Sequence, residues 1–428
     1  MNDKIRVLIF PCGKENGLEL YNALKFSFHL EVFGASSVRD HGIFAYENYI
    51  GDVPFINDKE FISHFNKIIQ THKIDVVLPT HDTVAVFFAE QADKINAKIV
   101  VPDKQVAQIC RNKALTYQLF KDEDFVPKIY SNIEDIPPFD FPLFLKPTIG
   151  EGSKNSARCK DISEVKQVLS NGLEYIVSQF LPGEELTVDC FTDRKHELKF
   201  IGPRLRNRVN MGISFNSTRH PVTEEIKHIA ETINKRLDFR GLWYFQLKKD
   251  NQGKYKLLEI SCRAAGTMIF YRILGINFAL MSIFDLLGYD IDILFNDLQI
   301  ELDRCIKNRF KINYGFRRIY IDFDDTIIVR NKVNDIAIQF IYQMINNKKE
   351  IILLTRHDGN LSETLEQFRI SENLFDKIIH LNFDIEKADY IEPEESIFID
   401  NAFHERKKVF QKYGIPVFDV DAIEAFII

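Results

Sequence analysis

Two carboxylates two residues apart close an apolar run in Ile319-Tyr320-Ile321-Asp322-Phe323-Asp324-Asp325-Thr326. Acids placed together at the end of a buried strand repel each other and lose hydration, a cost that a cation relieves. The pattern predicts a reactive, cation-binding centre at Asp322 and Asp324; a purely structural use of two such acids is disfavoured on desolvation grounds. Three later segments each deliver one further group. Ile351-Ile352-Leu353-Leu354-Thr355-Arg356 is a buried strand ending in a hydroxyl. Glu386-Lys387-Ala388-Asp389-Tyr390 offers an amine, and Ser396-Ile397-Phe398-Ile399-Asp400-Asn401 is an apolar strand ending in an acid.

A second set lies in the middle of the chain. In Pro142-Leu143-Phe144-Leu145-Lys146-Pro147-Thr148-Ile149-Gly150-Glu151-Gly152-Ser153 a strand ends in a lysine, a point charge for phosphate. The loop with Gly150, Gly152 and Ser153 can bring backbone N–H groups to phosphate oxygens. Taken alone it is equally a plain hairpin loop. In residues 175–189 a strand, the Pro182-Gly183 turn and another strand place Glu185 just past the turn. A hinge of that kind offers backbone groups to an adenine edge and a carboxylate to ribose hydroxyls, although a solvated surface hairpin has the same sequence. Lys254-Tyr255-Lys256-Leu257-Leu258-Glu259-Ile260-Ser261-Cys262-Arg263 follows the strand-like Gly241-Leu242-Trp243-Tyr244-Phe245-Gln246-Leu247-Lys248. Alternation puts Glu259, Ser261 and Arg263 on one face and Leu258, Ile260 and Cys262 on the other. An acid, a hydroxyl and a guanidinium together suit a Mg–phosphate site, with Gln246 adding an oxygen; a salt-bridged outer face is the plainer alternative. Arg204, Arg206 and Arg208 suit an anionic substrate or a γ-phosphate, and equally a solvated basic strand edge. His81 and His220 have no partner visible in the sequence.

The elements that carry these groups fall into blocks. The chain has 428 residues, too many for one typical domain. Its first third alternates short β-rich runs (7–10, 30–33, 75–79 and 97–101) with helical patterns such as 18–28, which predicts a doubly wound parallel α/β domain over 1–110. A Pro-rich joint at 134–142 leads into α+β patterning, so that a second domain is expected over 111–310. A basic, aromatic stretch at 306–316 precedes renewed α/β alternation, a third domain over 316–428. The 37 phenylalanines and 45% hydrophobic content can fill large cores. A net charge of −7 disfavours nucleic acid and anionic membranes as partners. The six cysteines are scattered without a CxxC pair, so reduced thiols are expected, and neither a disulfide framework nor a structural zinc. The first residues run straight into a strand without a signal-peptide pattern, and Asn277 and Asp285 break the most apolar stretch. A cytoplasmic protein is expected; nothing in the sequence sets its oligomeric state.

The ordered set of Lys146 with its glycine loop, Gly183-Glu184-Glu185-Leu186-Thr187-Val188-Asp189, Gln246 and Leu258-Glu259-Ile260-Ser261-Cys262-Arg263 resembles the ATP-grasp superfamily. It is most similar to the synthetase domains of carbamoyl-phosphate synthase large chain, over roughly residues 1–300. The resemblance implies a pre-ATP-grasp domain followed by an ATP-grasp domain, with ATP and Mg²⁺ (or Mn²⁺) as cofactors. It implies that Lys113 and Lys146 contact phosphates, that the backbone of Gln179, Phe180 and Leu181 holds adenine, and that Glu185 holds ribose. Gln246 and Glu259, helped by Ser261, would bind the metal, and Arg263 would stabilise a phosphorylated intermediate. Ser261 stands where that superfamily usually has Asn, and Gln179 where Glu is frequent. The four segments around Asp322, Thr355, Lys387 and Asp400 resemble the haloacid dehalogenase superfamily, a Rossmann-like fold, over 317–428. That resemblance implies Asp322 as nucleophile, Asp324 as acid and base, Thr355 and Lys387 on the phosphoryl oxygens, and Mg²⁺ at Asp322, Asp400 and the Asp324 carbonyl. Asn401 stands where a second Asp is common, with Glu405 as a candidate substitute. Only about two dozen residues separate Thr326 from Thr355, so a minimal cap is expected.

Together these imply a bifunctional enzyme. An ATP-dependent ligase would join a small carboxylate to an amine, and an attached phosphatase would act on a phosphate ester of the same pathway. The alternatives are a nucleotide-binding regulatory protein with weakened catalysis and a nucleic-acid end-processing phosphatase. The latter expects a GxxxxGK[ST] loop and a basic surface, and the chain has neither.

Overall fold

The structure is a computed structural model in which residues 4–210, 212–305, 310 and 312–427 are described. The chain forms two compact units, 1–306 and 307–428. The segments expected as separate domains at 1–110 and 111–310 thus share one unit, apart from the last few residues. The compositional change at 306–316 lies partly outside the described residues.

In the first unit, Ile5–Phe10 is the centre of a five-stranded parallel sheet in the order Asn48–Ile50, Leu30–Ala35, Ile5–Phe10, Val76–Pro79, Lys98–Ile99. Apolar side chains on both faces are buried, as a parallel sheet covered by helices requires. The first helix is Glu15–Leu24 rather than 18–28. Phe26 and Phe28 extended the apparent periodicity, yet they are 87% and 78% exposed beyond the helix end.

Two antiparallel sheets follow. One has three strands, Ala157–Cys159, Leu143–Pro147 and Tyr175–Gln179. The other has six, in the order Tyr255–Ser261, Gly241–Lys249, Glu185–Thr192, Leu198–Asn210, Ile213–Arg219, Glu301–Asp303. Helix Glu224–Arg236, capped by Thr223, buries Ile226, Ile229, Ala230 and Ile233 against the apolar face of the larger sheet. That face carries Leu186, Val188, Trp243, Phe245, Ile260 and Cys262. Their alternating neighbours Thr187, Tyr244, Gln246, Glu259 and Ser261 therefore point to the opposite face. The strands on either side of Pro182-Gly183 do not pair with each other: Tyr175–Gln179 bonds Leu143–Pro147, whereas Glu185–Thr192 bonds strands of the larger sheet. Residues 180–184 therefore cross from one sheet to the other. Gly183 fits beside Lys249, where an added Cβ would come within 2.5 Å of the Lys249 Cβ.

The second unit holds a five-stranded parallel sheet in the order Lys377–His380, Glu350–Thr355, Arg318–Ile321, Ser396–Ile399, Val417–Phe418. Asp322, Thr355 and Asp400 lie at the C-terminal ends of its three central strands, where ligands of open α/β sheets bind. Between Thr326 and Glu350 lie only the hairpin Ile328–Val329 with Lys332–Val333 and the helix Asp335–Asn346. The hairpin turns on Arg330 and Asn331, both at positive φ, the geometry that matches strand twist. Among the described residues no helix is long and apolar enough to cross a membrane.

Candidate functional site

Strand register builds the first site. Gln246 stands directly opposite Glu259, and also opposite Thr187 on its other side, so the three share a face. Gln246 and Glu259 line a cavity together with Lys113, Lys146, Gly150, Gly152, Ser153, Gln179, Phe180, Leu181, Glu185, Arg206 and Lys248. The lining comes from both antiparallel sheets and from the crossing between them.

Lys146 ends its strand inside this cavity. Its Nζ donates to the Tyr117 hydroxyl and, at 2.9 Å, to the Leu258 carbonyl. Burial, with the nearby charge of Lys113, brings its pKa down to about 7 against the pull of Glu259 and Glu185. Tyr117, held by the Leu257 and Leu258 carbonyls at 3.0 and 2.9 Å, has its own pKa pushed up by burial and by Glu259. Lys113 opens a helix capped by Asn112 and places its Nζ 3.1 Å from the Gly150 carbonyl and 3.7 Å from Glu259. At the crossing, Glu185 is flanked by Lys248 at 3.0 Å and by Arg206 Nε at 2.9 Å.

The glycine loop is tied from outside. His81 Nε2 lies 2.9 Å from Glu151, and Arg111 Nη1 donates to the Gly150 carbonyl at 3.3 Å. His81, without a partner in the sequence reading, therefore has one; so does His220, whose ring lies 3.4 Å from the Tyr255 hydroxyl.

Ser261 and Arg263 are not in the cavity lining. The Ser261 hydroxyl donates to Asp82 at 2.6 Å. Arg263 donates to Asp82 through Nε and Nη2 at 3.0 and 2.7 Å, and to the Ala264 carbonyl through Nη1. Burial opposes the Asp82 charge, but Arg263 and Ser261 outweigh it and hold that carboxyl at about 2. Asp82 escaped the sequence reading because its partners are about 180 residues away. The available signal was an acid opening a helix just after the strand Val76–Pro79.

Mg²⁺ fits this cavity. Glu259 and Gln246 offer a carboxylate and an amide oxygen side by side, and two lysines stand by for phosphate. Among the described residues no three His, Cys, Asp or Glu side chains converge. Two protein oxygens still suit Mg²⁺, which completes its shell with phosphate and water.

The second unit gathers another set. Lys387 Nζ stands 2.7 Å from both Asp322 Oδ1 and Asp400 Oδ2, with all three side chains buried. Burial and the charge of Asp400 raise the Asp322 pKa to about 6, against the attraction of Lys387. The Thr355 hydroxyl is buried without a hydrogen-bond partner among the described residues, whereas Asp322 Oδ1 is held in the ion pair with Lys387. Two buried acids and an orphaned hydroxyl at adjacent strand ends fit a divalent ion with a phosphoryl group. The half-exposed Asp324 carboxylate lies 3.0 Å from His357 Nδ1, whose Nε2 meets the Thr364 hydroxyl at 2.9 Å. His357 was missed because a histidine one residue beyond Thr355-Arg356 gives no pattern. Glu405 does not stand in for an acid at position 401: it is buried and paired with Arg356 at 2.8 Å.

Comparisons relate the fold to known ones. A family model described as ATP-grasp in the biosynthetic pathway with Ter operon matches residues 173–301. The biotin carboxylase domain of Hydrogenobacter thermophilus 2-oxoglutarate carboxylase, solved with Mg-ADP, ADP and bicarbonate, aligns with a TM-score of 0.56 at 14% identity, covering 69% of this chain and 72% of that one. L-amino acid ligase from Bacillus licheniformis aligns at 0.53 and 18% identity, covering 67% and 75%. N5-carboxyaminoimidazole synthetase from Staphylococcus aureus, complexed with ADP, aligns at 0.55 and 14% identity, covering 68% and 79%. No curated protein sequence matches the chain. The molecule is a mixed α/β multidomain protein with an ATP-grasp fold.

Proposed function

We propose that the first unit is an ATP- and Mg²⁺-dependent ligase joining a small carboxylate to an amine, and that the second is a phosphatase of the haloacid dehalogenase kind acting through Asp322. The observation that carries the ligase reading is the meeting of Lys113, Lys146, Gln246 and Glu259 in one cavity beside the crossing at 179–185. Fold neighbours solved with Mg-ADP, with ADP and with bicarbonate support it, as does one named as an amino acid ligase.

A carboxylate resists attack because its carbon is electron-rich and oxide is a poor leaving group. Transfer of the γ-phosphoryl group to its oxygen gives an acyl phosphate; amine attack then forms the amide and releases phosphate. Lys113 and Lys146 neutralise charge on the moving phosphoryl group, and the backbone at 179–181 with Glu185 holds the nucleoside. Gln246 and Glu259 would hold Mg²⁺, which neutralises phosphate charge when bound. Ser261 and Arg263 are both held by Asp82, so a direct role at the metal or the phosphorylated intermediate requires them to leave it.

In the second unit Asp322 attacks phosphorus to give an aspartyl phosphate, and the ester oxygen leaves with a proton from Asp324. Asp324, oriented by His357, then takes a proton from the water that releases phosphate. Thr355 and Lys387 hold the phosphoryl oxygens, and Asp322 with Asp400 would hold the metal. The six cysteines are free and five are buried, which suits a reducing cytoplasm.

One concrete coupling is ligation of a phosphorylated amine followed by removal of its phosphate. ADP release is followed with acid and amine pairs, and phosphate release with supplied product. Glu259→Ala should stop the first and spare the second, and Asp322→Asn should stop the second. Phosphate release that survives Asp322→Asn would end the phosphatase reading. Mg-ATP binding without turnover would instead favour a nucleotide sensor, a reading for which the engagement of Ser261 and Arg263 by Asp82 speaks.

A further inference from the structure

We infer that the acid substrate of the first unit carries a second anionic group, received by Arg204. This rests on the ligase reading. Register places Glu259, Gln246, Thr187, Arg204 and Arg219 in one row across five adjacent strands. Residues directly opposite one another share a face, so Arg204 stands on the face that carries Gln246 and Glu259. Arg206, two residues further along the same strand, lines the cavity, and Arg204 lies buried beyond that lining. Three strand spacings separate Arg204 from Glu259, about 14 Å across the sheet. A carboxylate meeting the γ-phosphate must lie near Glu259 and Gln246, so Arg204 is placed for the far end of the same molecule.

Arg204 also has a donor to give. It is 1% exposed, and its Nε and Nη2 reach Asp189 at 2.7 and 3.4 Å. Its Nη1 is buried without a partner among the described residues. A buried charged donor left unpaired is costly, and native folds keep one where something else pairs it. Among the neighbouring guanidinium groups, Arg263 is engaged by Asp82 and the Ala264 carbonyl and Arg219 by Asp297, while Arg206 donates to the Gly212 carbonyl and has its buried Nε 2.9 Å from Glu185 without an aligned hydrogen bond.

Arg304 supplies an independent sign. Among the described residues, its side chain donates from Nη1 to the Ser214 carbonyl, at 3.5 Å. Burial holds its pKa below the ordinary value; Glu15 and Glu19 oppose this, and the charge of Arg204 adds to it. Glu19 is itself taken by Arg272 at 2.7 Å. Two guanidinium groups in each other's field are relieved by an anion placed between them. Gly266 lies beside Arg304: an added Cβ would stand 3.5 Å from Arg304 Nη1 and 3.1 Å from Asn16 Oδ1.

The test uses full-length protein saturated with Mg-ADP and calorimetric titration of four probes, succinate against butyrate and glutarate against valerate. At least one dicarboxylate should bind about tenfold or more tightly than its matched monocarboxylate, the worth of a charge-assisted contact. Arg204→Lys keeps a charge for Asp189 but loses the forked donor. It should bring that ratio close to one while leaving Mg-ADP affinity unchanged. Arg304→Gln, at a partly exposed residue, should also lower the ratio and serves if Arg204→Lys does not fold. Equal affinity for both probe classes, or a ratio unchanged in the variants, overturns the inference. Failure of the wild type to bind Mg-ADP would overturn the ligase reading, and this inference with it.

Discussion

Lys146 holds a charge that its surroundings oppose. With its pKa near 7, the free protein carries it mostly neutral at pH 8, whereas a bound phosphate favours the ammonium form. Nucleotide binding should therefore take up a proton above pH 7, and Mg-ADP should bind more tightly at pH 6.5 than at pH 9. Calorimetry in buffers of different ionisation enthalpy measures that uptake, and Lys146→Met should abolish it. Asp322 shows the opposite linkage. Its folded pKa of about 6 exceeds its ordinary value, so the folded state binds more protons between about pH 4 and 6. Its relative stability is greatest below that window and is lost as pH rises through 6. In EDTA at pH 8, Asp322→Asn should therefore stabilise the protein by roughly 1–3 kcal/mol, since a shift of one pKa unit is about 1.4 kcal/mol. At pH 4.5 the gain should shrink towards zero. Thermal melts at the two pH values check it, and equal gains at both would show that the acid does not titrate as proposed.

At the scale of elements, the glycine loop meets the hairpin that joins Leu198–Asn210 to Ile213–Arg219. Gly212 has φ +74°, and an added Cβ would stand 2.8 Å from the Gly152 carbonyl carbon and 3.0 Å from the Ser153 nitrogen. Gly212→Ala should push the loop away and weaken Mg-ADP binding about tenfold, a loss of about 1.4 kcal/mol. His81→Ala, which removes the loop's outer tie to Glu151, should speed Mg-ADP release several-fold in stopped-flow measurements; an unchanged release rate would show that the tie does not restrain the loop. These elements also mark how far the sequence could be read. Alternation in 258–263 sorted Ile260 and Cys262 into the core and Glu259 onto the cavity face, but it misplaced Leu258: a bulge opposite Gln246 and Leu247 puts Leu258 in the cavity lining and gives the core position to Leu257. The same alternation could not tell that Ser261 and Arg263 meet Asp82, which sits in another element about 180 residues earlier. Nor could it tell that the two strands around Pro182-Gly183 join different sheets, because a Pro-Gly turn looks alike in a hairpin and in a crossing. The position of Asp322 at a strand end was legible since strand, turn and acids lie within eight residues.

At the scale of the whole molecule, the question is whether each unit holds enough core to fold alone. The second unit buries Ile319, Ile321, Ile351, Leu353, Ile397 and Ile399 on one side of its sheet. It buries Tyr320, Ile352, Leu354 and Phe398 on the other. Helix Asp335–Asn346 supplies Phe340, Ile341 and Met344 to the first layer, and helix Phe403–Tyr413 supplies Val409 to the second. A parallel sheet must be covered on both faces to be stable, and here both covers are made by residues of the same unit. Chains of about 100 residues commonly sustain such a core. A fragment spanning 316–428 should therefore unfold in urea as a single transition, with a slope of about 1–3 kcal/mol per molar. The same fragment should keep the stabilising effect of Asp322→Asn at pH 8, since Asp400 and Lys387 travel with it. Circular dichroism and tryptophan-free near-UV signals from its tyrosines would follow the transition. A broad, non-cooperative melt would show that this core is not complete within the unit.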